Sequence, residues 1–552
     1  MPGGTATTDT LPARVEAWIA ADPDPEARAE LRALVDREAW DELTERFAHG
    51  LSFGTAGLRG RLGAGPSRIN VATVRTATAG LARYLLEAVE GAREAGVVVG
   101  HDARHGSRRF AAEAAAVFSG AGLRTYRLPP HAPTPLVAFA VRRLGCAAGV
   151  MVTASHNPPQ DNGYKVYLGD GAQIAPPADE HIAAAIANAG APADLPLGDG
   201  GEPADVAEDY LSAILAALPA ADARDVRIAY TPLHGVGLEL CLEALDRAGF
   251  PAPHVVAAQA EPDPDFPTVA RPNPEEPGTL DLALAEAAAH DADVLLANDP
   301  DADRLAVAIP AADGWRRLHG DEIGALLADF LLEHREDPRR ALLVTTVASS
   351  TLLGRMAEAA GARYAETLTG FKWMMRAVAE APDHRLLLAY EEALGYAVSD
   401  VVRDKDGISA LLVMAQLAAT EKRAGRTLQD RLEAIAARYG AHATDQLTLE
   451  LEGADGQQRM RAITDRLRRE PPATLLGRPL EAAEDLAAGG RGAGLPRADV
   501  LILRADRVRV VVRPSGTEPK LKCYLEVVAA DLPEAAQQLA ELRAELTAVV
   551  GA

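Results

Sequence analysis

Cysteine is nearly absent: Cys146, Cys241 and Cys523 lie far apart and form no C-x-x-C pair. That spacing suits neither a disulfide framework nor a cysteine-held zinc site, so the three read as small core residues of a reducing compartment. Aromatic side chains are also few, at 4%. No block of Lys or Arg relieves a formal net charge of −23, a field that repels nucleic acid and anionic membrane surfaces. No apolar run is long enough to span a bilayer, and Met1 to Ala20 lacks the basic and apolar regions of a secretory leader. A cytoplasmic location is therefore expected, with neither nucleic acid nor membrane as partner. Nucleotide loops are missing too. There is no G-x-x-x-x-G-K-[ST], and Gly235-Val236-Gly237 lacks the third glycine of a dinucleotide fingerprint.

What is present is enough chain for several cores, since 552 residues exceed what one hydrophobic core organises. From Leu11 to His49 apolar residues recur at helical spacing, which predicts a helical N-terminal extension. After it, short apolar strands alternate with Gly- or Pro-containing turns and helices, the pattern of parallel α/β layers. Strands are predicted at Val97–Gly100, Gly149–Thr153, Val226–Tyr230, Val294–Ala297, Leu342–Thr346 and Leu386–Ala389. The Pro/Gly/Asp-rich stretch 191–202 reads as a domain boundary, and 261–278 as a long loop. Beyond about Leu428 helices surround the alternating run Arg507–Val512 and the strand Lys522–Val528, which predicts a smaller α+β domain. The expected divisions are an extension at 1–50 and domains at 51–203, 204–318, 319–428 and 429–552.

Three motifs could carry chemistry. Thr153-Ala154-Ser155-His156-Asn157-Pro158-Pro159 follows an apolar strand, so Ser155 falls at the strand's C-terminal edge, where α/β folds place their sites. Taken alone it is more simply a turn that bonds its own backbone. A serine hydrolase is a weaker reading still, because the G-x-S-x-G elbow is missing and His156, next to Ser155 on an extended chain, would face the other way. Lys165 could return to the same place by a turn at Asn162-Gly163, and a lysine desolvated or near other cations can have its pKa lowered; taken alone it is an exposed surface lysine. Asn298-Asp299-Pro300-Asp301-Ala302-Asp303-Arg304 puts three carboxylates at i, i+2 and i+4 after a burial-prone strand, a donor set for Mg²⁺. It is no EF-hand, because position six would be Arg304 and position twelve Pro310. Arg513-Pro514-Ser515-Gly516-Thr517-Glu518-Pro519-Lys520, between two strands, combines a forked cation, hydroxyls and open amides, as in either a phosphate cradle or an ordinary hairpin turn.

In order along the chain, GTAGLRG at 54–60, TASHNPPQDNGYKVY at 153–167, NDPDADR at 298–304, GDEIG at 320–324, TLTGFKWM at 367–374, EEALGY at 391–396, KDG at 405–407 and RPSGTEPK at 513–520 resemble the α-D-phosphohexomutase family. The likeness runs from about Leu51 to Val528. It implies four domains around a central cleft, three similar α/β domains and a smaller fourth. It further implies that Ser155 is the phosphoserine, that Asp299, Asp301 and Asp303 hold Mg²⁺ with it, and that Arg59, His156, Lys165 and Arg304 line the reaction centre. Lys165 would then accept the proton. Glu391 and the basic Lys372 would meet the sugar, while Lys405, Arg513, Ser515, Gly516 and Thr517 would hold the phosphate that stays. A sugar bisphosphate such as glucose 1,6-bisphosphate is the implied activator, and a monomer or homodimer is expected. Ala393 stands where many hexose-specific members have serine, and EEALGY and TGFKWM resemble the branch that includes phosphopentomutases. The implied reaction is glucose 1-phosphate to glucose 6-phosphate. Ribose, deoxyribose or mannose phosphates are the alternatives within the family. Outside it stand a D-x-D-x-[TV] phosphatase, for which Asp303 is the wrong residue, and a non-catalytic sugar-phosphate binder.

Overall fold

A computed structural model describes residues 10–54, 57–312, 314–335, 337–451, 455–489, 494–515 and 520–551. The chain divides into two compact units. The first takes residues up to Leu218 together with Arg227–Ala306 and Val401–Leu412. The second takes Pro219–Val226, Val307–Asp400 and the chain from Val413 onward.

In the first unit the extension folds as the helices Leu11–Ala21, Pro25–Asp36 and Trp40–Ala48, whose apolar faces bury Val15, Ile19, Leu31, Leu34 and Leu43 together. The sheet beyond them runs in the order Leu58–Arg61, Asp161–Leu168, Ala148–Val152, Val97–His101, Thr125–Arg127, Glu202–Pro203. Its last four strands are parallel, and Val97–His101 is buried along its whole length, as a strand covered on both faces must be. Leu58–Arg61 and Asp161–Leu168 are antiparallel additions. Asn162-Gly163 is therefore strand, where a turn was expected. A pairing strand on either side absorbs the segment, and Asn162 Nδ2 is held by His105 O and Ser107 Oγ, both at 2.9 Å. The reversal falls earlier, at 154–161, where Asn157 N bonds Ala154 O and Asp161 N bonds Pro158 O.

The second layer of this unit is the parallel trio Val294–Ala297, Ile228–Thr231 and His254–Val255. Between Gln259 and Asp281 no regular element forms, in keeping with the expected loop. Glu202–Pro203, at the end of the stretch read as a boundary, adds an edge to the first sheet.

The second unit holds a sheet ordered Arg363–Thr367, Ala341–Thr346, Arg385–Glu391, Gly395–Ala397, parallel except for its last strand. It also holds a six-stranded antiparallel sheet, Ala441–Glu450, Lys520–Ala529, Val508–Pro514, Leu501–Ala505, Arg478–Asp485 and Thr474–Leu475, with the helices Gly456–Arg469 and Leu532–Val550. Sequence reading had found only two of those six strands. Arg478–Asp485, with its burial alternating between half-buried and exposed, carries too weak an apolar signal to find.

Gly163 fixes how closely the site-bearing strands approach. A Cβ there would stand 2.6 Å from Thr153 O and 2.8 Å from Leu58 O, both main-chain atoms that cannot swing aside. Gly163→Ala should cost about 1–3 kcal/mol of stability, read from the shift of the urea unfolding midpoint.

Candidate active site

Ser155 ends the strand Ala148–Val152 plus three residues, and its backbone is left-handed, with φ 52°. The sharp bend reverses the expectation for His156. Off an extended chain, its ring lies on the same side as the serine, with Nδ1 3.2 Å from Ser155 Oγ. Ser155 Oγ donates to Asp299 Oδ2 at 2.7 Å.

The acids follow the buried strand Val294–Ala297. Ala302, at φ 56°, turns the loop so that Asp299, Asp301 and Asp303 converge, with ligand-type oxygens within 4.8 Å of one another and all three side chains buried. Each carboxylate has a defined inner bond. Asp299 Oδ1 accepts from the Arg304 amide at 3.1 Å. Asp301 Oδ2 accepts from Thr134 Oγ1 and Lys165 Nζ, both at 2.6 Å. Asp303 Oδ2 accepts from Lys165 Nζ at 2.9 Å and lies 3.3 Å from Lys405 Nζ. Asp301 Oδ1 and Asp303 Oδ1 are buried without a hydrogen-bond partner. Two orphaned carboxylate oxygens beside a third acid are the donor set that a hard divalent cation takes. The residues present fit Mg²⁺.

Charge orders the cluster. Burial and then repulsion from Asp301 and Asp303 push Asp299 well above the usual carboxylate range. Burial acts on Asp303 in the same sense, but Lys165, Lys405 and Arg304 outweigh it and hold the group below that range. Lys165 is likewise opposed by burial, yet Asp301 and Asp303 raise its pKa. Where a lowered pKa was expected beside cations, its neighbours are anions at hydrogen-bond distance, and Lys405 is the lesser influence. His156 goes the other way. Burial, Arg304 and Arg59 keep its imidazole neutral.

Arg59 reaches Asn157 Oδ1 at 3.1 Å, and Arg304 bonds Glu275 Oε2 at 3.0 Å while its Nε stands 3.9 Å from Asp299 Oδ2. Lys405, expected at the distal phosphate, instead stands at the acids, because Val401–Leu412 packs within the first unit. Sequence reading missed Thr134 and Arg104. Nothing near either marks it, since their partners are 167 residues away for Thr134 and 51 to 57 away for Arg104.

The remaining expected residues belong to the second unit. Glu391 ends the strand Arg385–Glu391 and is buried, Ala393 sits in the turn that follows, and Lys372 is in the first turn of the helix Phe371–Ala379. Arg513 is on the strand Val508–Pro514 close enough to Tyr524 to act on its hydroxyl, and the Ser515 amide donates to Lys520 O at 2.8 Å. Gly516 and Thr517 lie outside the described residues.

Four family profiles match in series: phosphoglucomutase/phosphomannomutase α/β/α domain I at residues 50–192, domain II at 208–312, domain III at 319–439 and the C-terminal domain at 451–545. A probable phosphoribomutase of Schizosaccharomyces pombe is 38% identical over 93% of this chain and 92% of its own. A probable phosphomannomutase of Haemophilus influenzae is 41% identical over 86% and 96%, and a Staphylococcus aureus phosphoglucomutase 33% over 98% and 99%. Three α/β/α domains followed by a distinct C-terminal one are the architecture of a sugar-phosphate mutase, an isomerase that transfers a phosphoryl group within its substrate. This chain belongs to the phosphoglucomutase/phosphomannomutase family, also called the α-D-phosphohexomutases. No helix among the described residues is long and apolar enough to cross a membrane.

Two measurements check this electrostatic picture. Thr134→Val removes one of two donors that orient Asp301, so Mn²⁺ binding followed by electron paramagnetic resonance should weaken about 10- to 100-fold. Glu392, beside Glu391, accepts from Ser349 Oγ at 3.0 Å, and burial, then Glu391 and Asp321, raise it to about 7. A raised folded-state pKa favours the protonated form, so its stabilising contribution is complete below the ordinary 4.5 and is lost as pH rises through about 7. Between pH 5 and 8 wild type should lose more unfolding free energy than Glu392→Gln, by roughly 1–3 kcal/mol.

Proposed function

We propose that this mutase interconverts glucose 1-phosphate and glucose 6-phosphate, with Ser155 as the phosphoryl carrier and glucose 1,6-bisphosphate as the intermediate. The observation that carries the reading is the 2.7 Å bond from Ser155 Oγ to a buried acid whose two companions each keep an orphaned oxygen. A plain surface turn has no use for that arrangement.

In the first half-reaction the bond from phosphorus to Ser155 Oγ breaks and one from a sugar hydroxyl forms. The hydroxyl proton passes to Ser155 Oγ by way of His156, which is neutral and 3.2 Å from that oxygen. Lys165 Nζ, bonded to Asp301 and Asp303, brings positive charge to the same centre. Mg²⁺, held by Asp299, Asp301 and Asp303 when bound, supplies further charge neutralisation at the phosphoryl oxygens. Arg59 and Arg304 add forked donors at the same centre. The bisphosphate then turns over; in this reading, carried from the family resemblance, Glu391 and Lys372 are assigned to the sugar, and Arg513, Ser515, Gly516 and Thr517 to the phosphate that stays.

A second sugar class, ribose and deoxyribose phosphates, is favoured by Ala393. A site that hydrogen-bonds a substrate hydroxyl can reject an analogue lacking it by about 10⁴-fold, because its own polar group is stranded, and alanine has none to strand. The phosphoribomutase name of the 38% identical relative supports the same class.

Intact mass after incubation with glucose 1,6-bisphosphate should rise by one phosphate in wild type and not in Ser155→Ala. A panel of sugar 1-phosphates with catalytic bisphosphate then ranks the substrates, in wild type and in Ala393→Ser, which should gain preference for hexose. Release of inorganic phosphate would establish a phosphatase, and binding without isomerisation a sugar-phosphate binder.

A further inference from the structure

In the turn that presents Ser155, four main-chain carbonyls accept hydrogen bonds from one side chain. Arg104, buried to 4% exposure, follows the strand Val97–His101, neighbour to the strand that carries the serine. Its Nη2 donates to Ser155 O and to Asn157 O, both at 2.5 Å. Its Nη1 donates to Pro158 O at 2.8 Å and Asp161 O at 3.2 Å. The guanidinium lies over the Phe266 ring, 5.0 Å from its centre, and its Nε faces Asp102 Oδ2 at 3.4 Å. Asp102 completes the frame: Oδ1 takes the Arg104 amide at 3.0 Å and Ser107 Oγ at 2.6 Å, and Oδ2 takes Thr153 Oγ1 at 2.6 Å. Thr153 Oγ1 in turn accepts the Ser155 amide at 2.9 Å.

We infer that Arg104 is the positioning residue of the phosphoryl-transfer centre, clamping the carbonyls of residues 155, 157, 158 and 161 so that a strained Ser155 keeps its hydroxyl on Asp299. The inference rests on Ser155 being the carrier. A left-handed serine is strained and persists only where its surroundings over-determine it. Four carbonyls held by one rigid fork supply that constraint, whereas a lysine ammonium, a point charge with three donors and no planar fork, cannot reach all four. Both Nη groups of this buried guanidinium are spent on carbonyls of the turn and its Nε faces Asp102, so Arg104 acts through the turn. Its loss should depress kcat and spare KM.

The test uses the full chain with Arg104→Lys and Arg104→Ala. Phosphorylation of Ser155 by glucose 1,6-bisphosphate, followed by quenched intact mass, should slow about a hundredfold in both, the cost of misplacing a reacting atom by about an ångström. Methylguanidinium should restore part of that rate to Arg104→Ala, and methylammonium should not. Hydrogen exchange should quicken in the peptide spanning 153–162 and hardly elsewhere. A wild-type labelling rate in Arg104→Lys, a KM that rises in step with the loss, or exchange that quickens throughout the protein would overturn the inference. Absence of label on Ser155 in wild type would instead sink the carrier reading. The exchange result still decides whether Arg104 holds the turn.

Discussion

Three carboxylates buried within 4.8 Å of one another are the constraint that the site is organised around. At that distance each ionised pair costs on the order of 3 kcal/mol, even with an effective dielectric constant of about 20. Burial in a protein held together by a net 5–15 kcal/mol cannot carry that uncompensated. The compensation is visible residue by residue. Lys165 and Lys405 bring two ammonium groups to one side, Thr134 and the Arg304 amide bring neutral donors, and the orphaned oxygens of Asp301 and Asp303 are left for a cation.

That arrangement also explains why so much of the first unit is devoted to holding loops still. The acids sit on one loop, after Val294–Ala297, and the serine on another, after Ala148–Val152. Each loop is bent by one left-handed non-glycine residue, Ala302 in the first and Ser155 in the second. Distant residues hold both loops: Thr134 bonds the Asp301 carboxylate with its hydroxyl and the Asp301 carbonyl with its amide, and Arg104 with Asp102 fixes the other. A site of this kind gains little from flexibility at the serine and much from fixed dipoles around it.

The strands that read as unbroken apolar runs, such as Val97–His101, Val294–Ala297 and Ala341–Thr346, were legible because complete burial leaves a complete apolar signal. Asp161–Leu168 was not, because its opening Asn-Gly is a turn signal that only tertiary pairing on both sides overrides. The charged strands of the last sheet escaped for want of contrast, as Arg478–Asp485 does. At the site, Ser155 and the acids were legible as local motifs. The orientation of His156 and the charge of Lys165 were not, since both depend on a left-handed bend and on anions more than a hundred residues away.

The chain crosses between its two units several times, leaving the first at Leu218, at Ala306 and finally at Leu412. A ribosome making it from the N-terminus releases Ser155 and the three acids long before Val401–Leu412, the strip that carries Lys405 to Asp303. Domains generally fold as units during synthesis, but this unit lacks its last piece until most of the polypeptide has emerged. Its anionic loop must wait through that interval with one ammonium instead of two. Gene fragments cut at the boundaries of the sequence profiles would inherit the same deficit permanently, because the third profile, 319–439, carries the strip away from the unit in which it packs.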